Sequence, residues 1–143
     1  MKRIAWALGI LLLLSIQAVA QEHYTEGPVW RVTLVRVKAI HMDHYLESLR
    51  KVSKPLLDEE KRQGLIVDYK VFLKETKSNP EDWDLALAVE YKNYAAMDGA
   101  TAKAEAIRDK VLGGKQPATE AGEKRAEWRE VVSSELMQEV TLK

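Results

Sequence analysis

"WDLALAVEYKNY", residues 83–94, alternates strictly between two kinds of side chain. Trp83, Leu85, Leu87, Val89 and Tyr91 point to one side of a β-strand, and Asp84, Ala86, Ala88, Glu90 and Lys92 to the other. The first side is a core face. The second, two alanines between carboxylates, neither seals a core nor has the composition of ordinary solvated surface. What lies against it decides how the molecule works.

Upstream, "LIVDYKVFLKET" (65–76) is a second strand, with Leu65, Val67, Tyr69, Val71 and Leu73 on one face. The intervening "KSNPED" (77–82) is turn chemistry, so the two strands form an antiparallel hairpin with Asp68 opposite Glu90. Before them, "VWRVTLVRVKA" (29–39) is rich in β-branched residues and forms the first strand. A helical stripe of Tyr45, Leu49, Val52 and Leu56 follows, with Asp43 at its start and Gly64 placed for a left-handed cap. Pro55 falls inside this helix, and a bend is expected near Lys51–Pro55. After the hairpin, Met97, Ala100, Ala104, Ile107 and Val111 form another helical stripe ended by Gly113-Gly114. Residues 115–132 read as a short third helix carrying Trp128, and 135–143 as a closing strand.

The order is βαββα(α)β: an α+β, ferredoxin-like plan with a four-stranded antiparallel sheet and helices over one face. "YLESLRKVSKPLLDEEKRQGLIVDYKVF" and "DWDLALAVEYKNYAAMD" also resemble small, mostly uncharacterised exported members of the dimeric α+β barrel superfamily. That resemblance implies pairing of two subunits into a barrel. It implies no single reaction, since the superfamily includes cofactor-independent monooxygenases, haem-degrading enzymes, isomerases and proteins with no known reaction. No active-site motif of that superfamily carries over residue by residue.

Sorted by face, the strands place Trp30, Val32, Leu34, Val67, Tyr69, Val71, Leu85, Leu87, Val89, Leu136 and Val140 under the helices. The other face collects Arg31, Thr33, Val35, Val37, Ile66, Asp68, Lys70, Phe72, Asp84, Ala86, Ala88, Glu90, Met137, Glu139 and Thr141. Either this face is the solvated side of an antiparallel sheet, or two subunits turn it inward to line a lumen. The apolar members argue for enclosure and the charges for pairing or a wet interior. The resemblance favours the barrel. The candidate lumen residues are Arg31, Thr33, Asp68, Lys70, Phe72, Asp84, Ala86, Ala88, Glu90 and Glu139, around a small hydrophobic or aromatic molecule.

Catalytic and metal signals are sparse. Asp68 and Glu90 are the best acid–base pair, since facing carboxylates in a closed site push one pKa upward. Pairing of these carboxylates with Arg31 or Lys70 is the plainer reading. Ser48, Ser53, Ser133 and Ser134 have no Gly-x-Ser-x-Gly context, and there is no glycine-rich phosphate loop. His41 and His44 share a helix face but have no third ligand cluster, and neither lies on a lumen-facing strand as a haem site would require. No cofactor is expected. Two function classes stand: a non-catalytic or ligand-binding homodimer, and a cofactor-independent enzyme acting on a small aromatic or hydrophobic compound.

The N-terminus bears on location. Lys2 and Arg3 precede an apolar run from Ile4 to Ile16, and Ala18-Val19-Ala20 fits a signal-peptide cleavage site. That run is shorter than the roughly 20 residues of a membrane span. Cleavage after Ala20 makes 1–20 a signal peptide and 21–143 a single secreted or periplasmic domain with no membrane attachment. Two of the 22 basic residues are then lost against 22 acidic ones, a formal charge of −2 without a basic block, which speaks against nucleic acid. Cysteine is absent, so stability must come from core burial or oligomerisation. The same cut makes His23 the third residue, where amine, two amides and imidazole form a square-planar set suited to Cu(II) or Ni(II). Cyclisation of Gln21 blocks that amine.

Overall fold

The computed structural model describes residues 23–143; the expected signal peptide lies outside them. Strand β1 (Tyr24–Val37) leads through a 3-10 turn at Ala39–His41 into one long helix, α1, made of Met42–Ser48, a π-helical turn at Leu49–Ser53, and Lys54–Arg62. Strands β2 (Asp68–Leu73) and β3 (Leu85–Tyr91) form the hairpin. A 3-10 turn at Tyr94–Met97, helices α2 (Ala100–Val111) and α3 (Lys115–Trp128), and strand β4 (Arg129–Leu142) complete the chain. The sheet is antiparallel throughout, in the order β2-β3-β1-β4.

The π turn is the form that the bend at Pro55 takes. Proline has no N–H for the Lys51 carbonyl and its ring crowds that carbonyl. The backbone widens just before it, with Lys54 N–H bonding back to Leu49 O. A π turn holds about one residue more than an α turn. The buried stripe of Tyr45 and Leu49 therefore resumes at Leu57, which packs on Ile66, Tyr91 and Ala100, rather than at the expected Leu56. The helix ends as its glycine demands. Gly64 has φ +72°, Leu65 N–H reaches Glu60 O and Gly64 N–H reaches Lys61 O, a Schellman cap.

Two clusters form the core between sheet and helices. Val35, Val37, Tyr45, Leu49 and Leu85 make one; Ile66, Tyr91 and Ala100 make the other. β3 sends Leu85, Leu87, Val89 and Tyr91 to the helices, as its alternation requires.

The faces of β1 are the reverse of the sequence expectation. Leu34 pairs with Ala86 and Val32 with Ala88, so Trp30, Val32 and Leu34 share the open face with the alanines. Arg31, Thr33, Val35 and Val37 lie on the helix side, where Val35 is fully buried. Both parities of β1 are mostly apolar, and alternation alone does not choose between them. Ile66 is also corrected to the helix side, because β2 begins only at Asp68 and the connection before it turns Ile66 into the core. Val67, expected beneath the helices, is 45% exposed. Leu136 lies opposite Arg31 on the helix side, yet it and Val140 stay half-exposed, because β4 is the edge strand beyond the two core clusters. β4 also begins six residues earlier than its alternation suggested, directly at the end of α3.

Candidate functional site

The open face of the sheet is built around the small residues of β3. Lys70 and Val32 flank Ala88 from the two neighbouring strands, and Phe72 and Leu34 flank Ala86. A methyl group between larger neighbours leaves a hollow. Trp30, Val32, Lys70, Phe72, Met137, Gln138 and Glu139 wall a groove of about 320 Å³ over Ala88. Ala88, at its base, and Ala86, one pair further along β3, are each only 4% exposed. Phe72 and Met137 keep 51% and 45% of their surface open to water, so the rim is apolar and unpartnered.

Polar groups fix the Trp30 end of the groove. The indole N–H donates to a Glu139 carboxylate oxygen at 3.0 Å. The Lys70 ammonium lies 5.0 Å from the indole centre, close enough for a cation–π contact. A register shift between Glu26 and Val29 brings Glu139 there. Gly27 sits in it, and a Cβ at Gly27 would stand 3.1 Å from the Glu139 carbonyl oxygen. A second shift between Leu34 and Val35 leaves Val132 without a cross-strand partner.

Of the expected lumen residues, Lys70, Phe72, Ala88 and Glu139 converge on this groove, with Ala86 one pair further along the same face. Arg31 and Thr33 do not. Arg31 stacks over the Tyr91 ring at 5.2 Å on the helix side, and Thr33 Oγ1 meets Ser134 Oγ at 3.2 Å. Asp84 caps the end of the sheet, its carboxylate accepting from Val37 N–H at 2.8 Å and pairing with Lys77.

Asp68 and Glu90 do stand opposite each other on the open face. Asp68, however, is tied to Lys61 of α1 at 2.8 Å, neither to Arg31 nor to Lys70. The lysine, with help from the backbone of Tyr69, holds its carboxyl below the usual range. Trp30, Val32 and Gln138 are the groove residues absent from the expected set, the first two hidden by the ambiguous parity of β1. Met137 belonged to the expected face.

His41 and His44 lie on the opposite side of the molecule, at the start of α1. Their rings are 6.3 Å apart, and each approaches Trp128 of α3, at 6.3 and 5.9 Å. Among the described residues no three His, Asp, Glu or Cys side chains cluster as a metal site would. His23 begins the described chain, its carbonyl accepting from Lys143 N–H; the nitrogen donors of Gln21 and Glu22 fall outside.

Strand order β2-β3-β1-β4, all antiparallel with the helices packed on one face, defines the ferredoxin-like α+β fold. HapK from Hahella chejuensis shares it, with a TM-score of 0.52, 11% identity and coverage of 78% of this chain and 91% of that one. So does a dimeric ferredoxin-like protein from an uncultured marine organism, with a TM-score of 0.51, 14% identity and coverage of 83% and 90%. A NIPSNAP family protein of unknown function from Agrobacterium tumefaciens strain C58 aligns at a TM-score of 0.49, 12% identity and coverage of 85% and 92%. At such identities the likeness is one of fold. No protein-family model and no curated protein matches the chain. Among the described residues, no helix is long and apolar enough to cross a membrane.

Proposed function

We propose that the chain works as an exported homodimer whose two open sheet faces meet and enclose a small-molecule site over Ala88. The observation that carries this reading is the open face itself. Trp30, Val32, Phe72, Ala88 and Met137 make an apolar groove within hydrogen-bonding and cation–π reach of Glu139 and Lys70. Its size and lining suit one small hydrophobic or aromatic ligand oriented by a few polar groups. Such a face is costly to leave in water, and a second copy presents the same surface with the same need. A solved protein of the same fold that is described as dimeric supports pairing of two copies.

The role is binding. Of the two facing carboxylates, Asp68 is engaged by Lys61, which holds its carboxyl below the usual range. Export rests on the signal-peptide pattern of residues 1–20. Light scattering on the chain from Gln21 tests the dimer: twice the monomer mass at micromolar concentration is expected, and a persistent monomer overturns it. Intact-mass analysis of secreted material should show Gln21 as the first residue.

A further inference from the structure

A second groove lies on the helix side, between α1 and α3, with a volume of about 490 Å³. Three features of the sequence create it. The π turn before Pro55 widens α1 at the level of Lys51 and Val52. Across from it α3 presents Ala121, too short to close the gap. At one end His41, His44 and Trp128 stand together, with ring centres 5.9–6.3 Å apart, within the range of interacting aromatic pairs.

The polar groups of this groove are unevenly matched. Lys51 pairs with Glu47 at 2.7 Å, so their charges cancel. Lys124 lies over the Trp128 ring at 5.7 Å and has no carboxylate within ion-pair distance among the described residues. His41 Nδ1 is buried without a hydrogen-bond partner. A ring-lined slot with one unmatched cation is complementary to a flat anion. A divalent metal suits it poorly, because the third donor is missing and the spare charge is positive.

We propose that this groove is a binding site for a small aromatic carboxylic acid, stacked against Trp128 and His44 with its carboxylate at Lys124. The apolar wall of Val52 and Ala121 holds the ring system, and its volume admits one or two fused rings. The site is separate from the groove over Ala88, and it faces away from the sheet surface through which the proposed dimer pairs.

The chain from Gln21 contains Trp30, Trp83 and Trp128, whose indole N–H signals in a heteronuclear NMR spectrum report on three separate places. Titration with 2-naphthoate should move the Trp128 signal saturably, with a Kd near or below about 1 mM, and leave Trp83 fixed. Lys124→Ala should weaken naphthoate about fivefold while leaving the neutral 2-naphthamide unchanged. Ala121→Leu, a good helix former that fills the floor, should abolish binding with the fold intact. Saturable shifts at Trp30 instead of Trp128 would assign the ligand to the sheet face and overturn the site. So would equal affinity for acid and amide with no effect of Lys124→Ala, or no saturation at all. Should Ala121→Leu fail to fold, the Lys124→Ala comparison and the indole shifts decide by themselves.

Discussion

Phe72 and Val71 are neighbours on the same edge strand, point to opposite faces, and are exposed to nearly the same extent, 51% and 45%. If two open faces pair, truncating Phe72 must weaken the dimer and truncating Val71 must not. A phenylalanine side chain buries about 150–250 Å² when fully enclosed, so roughly 100 Å² of Phe72 remains for a partner to cover. At about 25 cal/mol per Å² this is worth about 2.5 kcal/mol per copy. The methyl left by Phe72→Ala retains a little of that, leaving about 2 kcal/mol. A two-fold interface counts the change twice, giving about 4 kcal/mol, or roughly a thousandfold in the dimer dissociation constant. Val71→Ala removes two exposed methyl groups from the helix side and should shift the constant by less than about threefold. Sedimentation velocity over a dilution series measures both. Equal effects of the two substitutions, or none from Phe72→Ala, would refute pairing through the open face.

Ala88→Trp drives an indole into the floor of the groove over β3; it should disturb dimerisation or block ligand, whereas a purely solvated face absorbs it within about 0.5 kcal/mol in a thermal melt. Glu60 is half-buried, and burial raises its carboxyl pKa while Arg31 opposes the shift. The unfolded chain therefore releases this proton first, and stability falls as pH rises from the ordinary glutamate value toward the raised folded one. Glu60→Gln removes that loss. The variant should gain Tm relative to the parent at about pH 7 and show no gain below about pH 4, and a pH-independent difference contradicts the assignment. Pro55→Ala restores an N–H for the Lys51 carbonyl, yet the extra residue of the π turn is held by Leu57 in the core. It should change stability by no more than about 1 kcal/mol in a denaturant melt, and a loss above about 3 kcal/mol means the proline itself enforces the bend.

The parts of the fold legible in the sequence are those where one physical demand acts alone. β3 is covered by helices on one side only, so its apolar and small residues alternate and its register with β2 followed, Asp68 opposite Glu90. Gly64 and Gly113 mark helix ends because their positive φ excludes most other residues. The π turn at Leu49–Ser53 could be foreseen as a bend, because Pro55 removes a hydrogen bond. Its extra residue could not, because the shift of the stripe from Leu56 to Leu57 depends on what α1 packs against. Ile66 and the early start of β4 were missed for a related reason. Both lie at element boundaries, where tertiary contacts rather than periodicity decide the side a residue takes.

β1 failed differently, and its failure bears on function. Alternation reveals a strand's inner face only when the outer face is wet. In β1 the helix side carries Val29, Val35 and Val37, and the open side carries Trp30, Val32 and Leu34. A strand apolar on both sides is what burial on both sides selects, as in the middle layer of a sandwich. The helices account for the first set. Within the described chain nothing covers the second set as the helices cover the first: Phe72 and Met137 beside it stay half-exposed, and the groove over Ala88 is open. The residues that made the strand unreadable are the ones that call for a partner. This explains why the candidate site was legible in β2, β3 and β4 but not in the strand at the centre of its apolar wall. The charged residues at the rim, Lys70 and Glu139, already have Trp30 as a partner. Glu90, on the same face, has no ion-pair partner among the described residues, so a second sheet closed over it must supply one or leave water beside it.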